Sequence, residues 1–266
     1  MGEIKKIVTH LPPNHVDELL ALALLLQKYK NVDVEFLDNK DSLLEKYKKD
    51  KSVILVDIGN EYNPSYRNYD HHHDISISSS LVLVLKHEFK EYYNLIEKDK
   101  DLKRQIDYID LKDRFGKKIA KKLTKLSGLD FLEEVIGSFS VEDLERLGKY
   151  IVGYFERIKK AYKNLEKLKI KKIKEILIGI DRNYIKPHLV FRKYKVDILV
   201  ATNIKNKNRT SIIKNPYSSF DMGILEKYYR KEIEFIHKTK FLMIVNKKLD
   251  KVVEEIEKIL GGEKWI

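Results

Sequence analysis

The chain reads as an α/β protein with a parallel-sheet N-terminal domain (residues 1–140), a linker helix (141–169) and a smaller, basic α/β domain (170–266). Three observations carry this. Apolar runs alternate with helix-length stretches up to Asp57, an order that makes a βαβαβ unit with a parallel sheet and right-handed crossovers. A long amphipathic stretch from Val141 to Leu168 then separates this region from a second set of strand patterns. The charge balance changes at the same place: residues 1–125 hold 23 Lys plus Arg against 21 Asp plus Glu, whereas residues 170–266 hold 22 against 12.

In chain order, the pattern predicts a strand at 5–10, a helix at 15–29, a strand at 32–37, a helix at 41–49 and a buried strand at 52–57. Ser78-Ser79-Ser80 is a helix-capping run, so a helix is expected from there to about Tyr93. Helical segments follow near 96–125, 129–137 and 141–168. Strands resume at 176–178, 196–200 and 211–213, then a helix at 221–231, a strand at 241–245 and a helix at 249–260.

Composition narrows the chemistry. With 266 residues, 43% of them hydrophobic, the chain can bury a sizeable core. It has no cysteine, so disulfides and thiolate metal sites are excluded, and a transition metal must be held by imidazole and carboxylate. The longest apolar run, Leu19 to Leu26, is too short to span a bilayer, and the N-terminal residues lack a secretory core. No membrane association and a cytoplasmic location are the expectations.

The chemistry-bearing residues gather at strand ends. Asp70-His71-His72-His73 follows the apolar strand that closes on Asp57, and His10, His15, Asp17 and Glu18 stand where the first strand breaks into a helix. Ligand sites in open α/β sheets form outside the carboxyl ends of the strands, so these groups are placed to converge. Hard and borderline donors without thiolate suit Mn2+, Mg2+, Co2+ or Zn2+, and two ions sharing a carboxylate suit phosphoester hydrolysis. The competing uses are ordinary: a turn carboxylate for Asp57 and solvated loop positions for the histidines.

On these residues the chain resembles the DHH phosphoesterase superfamily, and within it the melanocyte proliferating gene one family of metal-dependent exonucleases. The carriers are Thr9-His10, His15-Val16-Asp17-Glu18, Val56-Asp57-Ile58-Gly59, Arg67-Asn68-Tyr69-Asp70-His71-His72 and Ser79-Ser80 with His87-Glu88. Weaker ones are Ile106 to Asp110, Lys186-Pro187-His188 and Phe235-Ile236-His237. The resemblance implies two Mn2+ ions, with Mg2+ or Co2+ as substitutes. His10, His15 and Asp57 would hold one; Asp17, Asp57, His71 and Asp110 the other, with Asp57 bridging. His72 would face the substrate phosphate, Asp70 would orient an imidazole, and Arg67, Lys186, His188 and His237 would contact substrate. His15 stands where the wider superfamily usually has Asp, and the chain departs from the family at Leu111-Lys112, where the family has Asn-Gly. Asp107 or Asp113, one turn from Asp110, therefore stand as replacements for it.

The implied activity is two-metal hydrolysis of a phosphodiester, as a 3′ to 5′ exonuclease on RNA or single-stranded DNA. The surplus of positive charge in residues 170–266, with Tyr184, Phe191 and Tyr194 among it, fits a partner that is a single-stranded nucleic acid. A Lys-rich solvated face is the plain alternative for that region. A small-molecule phosphohydrolase with the same metal core and a non-catalytic RNA-binding protein are the two other readings. Oligomer formation is left open.

Overall fold

The computed structural model describes residues 3–126, 130–183 and 185–261, and Tyr184 lies outside them. Two compact units divide after Glu156. The first begins as the hydrophobic pattern demands: β1 (Lys6–His10), α1 (Val16–Lys28), β2 (Asp33–Leu37), α2 (Leu43–Tyr47) and β3 (Val53–Val56). A short hairpin follows, β4 (Tyr62–Asn63) and β5 (Asn68–Tyr69). The sheet order is β2-β1-β3-β5-β4, parallel throughout except for the β4–β5 pair.

Alternation along the strands separates two apolar layers, because successive side chains point to opposite faces. Ile7, Ile54 and Val56 join Leu22, Leu25 and Leu83 on one face; Val8, Val53 and Leu55 join Leu37, Leu44 and Ile58 on the other. Burial on both faces explains why β3 is the uninterrupted run Val-Ile-Leu-Val. The parallel order sends His10, Asp57 and Asp70-His71 out beyond the carboxyl ends of β1, β3 and β5, at the same end of the sheet.

The rest of this unit is helical: α3 (Ser80–Glu88), α4 (Lys90–Lys98), α5 (Lys100–Phe115), α6 (Lys117–Thr124), α7 (Asp130–Gly137) and α8 (Val141–Leu165), which runs through the division. α8 closes onto α1 at Gly148, where an added Cβ would lie 2.0 Å from the Ala23 carbonyl oxygen. Gln27 Nε2 donates to the Glu145 carbonyl at 2.7 Å beside that contact.

The second unit contains β6 (Lys169–Ile173), β7 (Ile176–Asp181), α9 (Pro187–Tyr194), β8 (Ile198–Thr202), β9 (Thr210–Lys214), α10 (Gly223–Tyr228), β10 (Ile233–Ile236), β11 (Leu242–Val245) and α11 (Leu249–Gly261). Its mixed sheet has the order β10-β11-β9-β8-β7-β6, with β7 and β8 as the parallel pair. β6, β10 and α9 were not expected from sequence. β6 reads Lys-Ile-Lys-Lys-Ile and sits at the sheet edge, where lysines discourage pairing with another chain and mask the strand pattern.

Candidate metal centre

Three local features aim the site. After β3 the chain turns sharply: Asp57, Gly59 and Asn60 all have positive φ, at 59°, 99° and 52°. Such values are uncommon outside glycine, and Asp and Asn tolerate them best. The Asp57 N–H donates to the Tyr69 carbonyl at 3.1 Å, and Ser80 Oγ lies 2.8 Å from Asp57 Oδ1 and 2.7 Å from the same carbonyl. The carboxylate is thus fixed from β5 and from the first turn of α3. Separately, His15 caps α1, and its backbone N–H donates to Glu18 Oε2 at 3.3 Å, one arm of a capping box. Asp17 and Glu18 occupy the first turn, where the helix dipole favours negative charge.

Around Asp57 the imidazoles close in. His10 Nε2 is 3.5 Å from Asp57 Oδ2 and also pairs with Glu18. His71 Nε2 is 3.3 Å from Asp57 Oδ1 and 2.8 Å from Asp113 Oδ2. His15 Nδ1 lies 3.3 Å from Asp113 Oδ1. His72 stacks on His71 with ring centres 4.7 Å apart, and its Nδ1 is 2.7 Å from Asp70 Oδ1. Asp70 is itself held by the Asn60 N–H at 2.6 Å, so it fixes which ring nitrogen of His72 faces inward. Asp57, Asp17, Glu18, Asp70 and His71 are all buried.

The electrostatics follow from this crowding. The Asp57 and Glu18 carboxylates hold His10 up to about 11. Burial opposes a charge on His71, but Asp113 and Asp57 outweigh it and raise the ring to about 10. Burial also opposes ionisation of Asp113, and His15 and His71 outweigh it, bringing it to about 2. Asp57 is likewise displaced well below the usual carboxylate range by His10 and His71, against the effect of burial. Asp17 goes the other way, driven up by burial and then by the charges of Asp57 and Asp113.

Asp17 is the odd member. Both of its carboxylate oxygens are buried with no hydrogen-bond partner, and Asp57 Oδ2, Asp113 Oδ2 and His71 Nε2 share that condition. A buried, uncompensated carboxylate is costly unless a cation or donor meets it. The donor set is nitrogen and oxygen only, which fits hard or borderline divalent ions. Among the described residues, three ligand groups each bring their donor atoms within 4.8 Å: His10 with His15 and Asp57, Asp57 with His71 and His72, and His15 with Asp17 and Asp113. Beside the last group opens a cavity of about 480 Å3, lined also by Lys112, Glu133 and Glu134.

Two expected residues stand elsewhere. Asp110 is not among these groups: its Oδ1 accepts the Ser79 N–H at 2.7 Å at the start of α3, and its Oδ2 accepts from Arg114 at 2.5 Å. Asp113, one turn on, is the acid of α5 that joins them. Asp107 meets Lys103 at 3.4 Å, outside the cluster. Arg67 also lies outside these groups. It sits at the opposite end of β5, with Nε 3.3 Å from the buried Glu88 and its guanidinium donating to the Lys51 carbonyl at 3.2 Å.

In the second unit, the strand directions separate the remaining candidates. Lys186 caps α9 and His188 lies in its first turn, just beyond the carboxyl end of β7. His237 follows β10 at the other end of the sheet, donating its N–H to the Leu242 carbonyl and holding Thr239. Four strand spacings also separate β7 from β10, about 19 Å at the usual ~4.8 Å each. Within this unit these three residues do not form one subsite.

Comparison with known proteins meets the site at its first half. Residues 6–80 match a family model described as an uncharacterised protein family, the MYG1 exonuclease group. That stretch contains His10, His15, Asp17, Asp57, Asp70, His71 and His72. The chain is also 39% identical over 69 residues to the MYG1 exonuclease of Rattus norvegicus, a match covering 25% of this chain and 16% of that protein. The Mus musculus MYG1 exonuclease gives the same identity and length, covering 17% of its own chain. The aligned part is thus less than a fifth of either relative, and Asp113 and the whole second unit lie beyond the residues that match the family model. The similarity is to a nuclease family whose name implies a hydrolase acting on nucleic acid. Among the described residues, no helix is long and apolar enough to cross a membrane.

Proposed function

We propose that this chain is a metal-dependent phosphodiesterase of the DHH type, acting as a 3′ to 5′ exonuclease on RNA, with single-stranded DNA as a further substrate. The observation that carries this reading is Asp17: a carboxylate buried without any partner, amid imidazoles and carboxylates close enough to share ions. His10, His15 and Asp57 would hold one Mn2+, and Asp17, Asp57, His71 and Asp113 the second, with Mg2+ or Co2+ as replacements. When bound, such ions supply charge neutralisation and Lewis-acid polarisation of a phosphoryl oxygen and of water.

The side chains supply position and protons. Asp57, locked by Ser80 and the Tyr69 carbonyl, presents one oxygen towards His10 and the other towards His71, the arrangement a shared carboxylate requires. Asp70 holds His72 through Nδ1 and raises its proton affinity, which favours the imidazolium, the form whose Nε2–H can donate to a phosphate oxygen. His72 is the half-exposed member of the pair, as a substrate-facing group must be. Lys186 and His188 are proposed as substrate contacts of the second unit, and Arg67 is not.

A specific observation favours one second reading, a small-molecule phosphohydrolase: the cavity beside Asp17 and Asp113 falls in the ~300–1,000 Å3 range of small-ligand sites. A time course on 5′-labelled RNAs of graded length, with Mn2+ or with chelator, separates the two. A ladder shortening from the 3′ end, only with metal and faster on longer RNA, is the expected result. Turnover confined to dinucleotides or pyrophosphate would select the second reading.

A further inference from the structure

The stretch from Lys112 to Lys125 holds seven basic residues and a single acid, Asp113, in a unit whose first 125 residues are nearly neutral overall. Most of this charge falls on α6. Its register places Lys117, Lys118, Lys121 and Lys122 on one arc of the helix, with Lys125 continuing it, while Ala120 and Thr124 form the buried side. Like charges recur at the four-residue spacing, 117 with 121, 118 with 122 and 121 with 125, and each such pair opposes helix formation. The first turn contains no acid and begins with two lysines, against the helix dipole.

Four of these charges, Lys118, Lys121, Lys122 and Lys125, lack the ion pairing seen at several positions of the second unit. There Lys171 meets Glu257 at 2.6 Å, Arg209 meets Glu234 at 2.6 Å, Lys240 meets Glu226 at 2.7 Å and Arg182 pairs with Asp250. Among the described residues, no ion pair involves Lys118, Lys121, Lys122 or Lys125. α6 also leaves α5 through Gly116, three residues after Asp113, and packs along α5. Phe115, at that join, is partly exposed, and the Arg114 guanidinium lies 4.9 Å from its ring centre.

We infer that the lysine face of α6 is a binding surface for the sugar–phosphate backbone of a single-stranded RNA, placed beside the metal centre in the first unit. The inference rests on the nuclease reading for its ligand and on charge complementarity for its location. A helix face whose Lys118, Lys121, Lys122 and Lys125 have no ion-pair partner among the described residues is stabilised by a polyanion, and α6 begins four residues after Asp113, a member of the cluster. The C-terminal charge surplus, in contrast, is partly neutralised within its own unit.

The test is the full chain carrying Lys118→Ala, Lys121→Ala and Lys122→Ala together. Alanine favours helix and removes the like-charge pairs, so folding should be unchanged or improved, as read by circular dichroism and melting. Binding of a 20-nucleotide RNA is measured in an Asp57→Asn background, which removes cutting from the readout. The expected result is a tenfold or greater loss of affinity and a log–log salt slope shallower by about two units, from ~0.7 per lost phosphate contact. Hydrolysis of bis(4-nitrophenyl) phosphate with Mn2+, in the otherwise unaltered chain, should not change. Unaltered RNA affinity and slope would overturn the inference, as would loss of binding to phosphatidylserine vesicles with RNA binding intact. If the unaltered chain hydrolyses no phosphodiester, the nuclease reading falls while the binding measurement still decides the role of α6.

Discussion

Asp57 illustrates how one residue can be readable in a sequence while its neighbours are not. An acid closing a wholly apolar strand, thirteen residues before Asp-His-His, was visible as a candidate ligand, as were His10, His15, Asp17 and His71. What spacing could not resolve was which of three acids on one helix turns inward, since Asp107, Asp110 and Asp113 differ by modest rotations about α5. Asp110 is diverted by the Ser79 N–H and Arg114, partners set by tertiary packing. Glu18 was visible in the cluster at the start of α1, but no role followed from its spacing: it serves the capping box with His15, and its contact with His10 appears only when β1 and α1 meet. Asp57→Asn should lower Mn2+-dependent turnover by at least a thousandfold with an unchanged circular dichroism spectrum, because the oxygen charge shared between two ligand groups is halved or lost. Asp113→Ala should weaken Mn2+ binding, measured calorimetrically, by tenfold or more, whereas Asp110→Ala should lower the melting temperature and leave metal affinity within about threefold. The opposite pattern would restore Asp110 as the ligand. A third residue, Glu88, tests stability away from the centre. Burial raises its proton affinity, but Lys28, Tyr29 and Tyr69 outweigh this and hold it below its ordinary value. A depressed carboxyl contributes stability that is present above the unfolded value of about 4.3 and is lost as pH falls through the folded one. Glu88→Gln should therefore cost about 2 kcal/mol at pH 7 in denaturant titrations, with a smaller penalty at acid pH.

At the scale of elements, the first five strands and helices to β3 followed from periodicity because each is either a buried apolar run or an amphipathic stripe. The misses have physical causes. β4 and β5 are two residues each, too short to show alternation, and exist because the turn after Asp57 brings the chain back beside β3. β6 is charged because it is an edge, and β10, at the other edge, is only partly buried. The seam between α1 and α8 was also invisible, since a lone glycine in a helix reads as a weakness until its neighbour is known. Gly148 is required there: any Cβ would overlap the Ala23 carbonyl. Gly148→Ala should destabilise the chain by about 1–3 kcal/mol in denaturant unfolding, despite alanine's better helix propensity. A neutral or stabilising result would mean that α8 stands further from α1 than described.

For the molecule as a whole, two facts organise the account: ligand groups converge beyond the carboxyl ends of the parallel strands, and positive charge is partly paired in the second unit but not at Lys118, Lys121, Lys122 and Lys125 of the first. The change in charge balance along the sequence pointed to the second unit as the polyanion surface. Side-chain pairing shifts part of that role to the first, a distinction no count of lysines can make. The central claim is that the buried cluster around Asp57 and Asp17 is a two-ion centre. The most direct measurement is an isothermal titration of Mn2+ into the full chain, wild type and Asp57→Asn, with fold checked in parallel. Saturation at two ions per chain, and loss of at least one of them in the folded Asp57→Asn chain, is the predicted result. No saturable binding by the wild type, or two ions still held with equal affinity after the substitution, would contradict it.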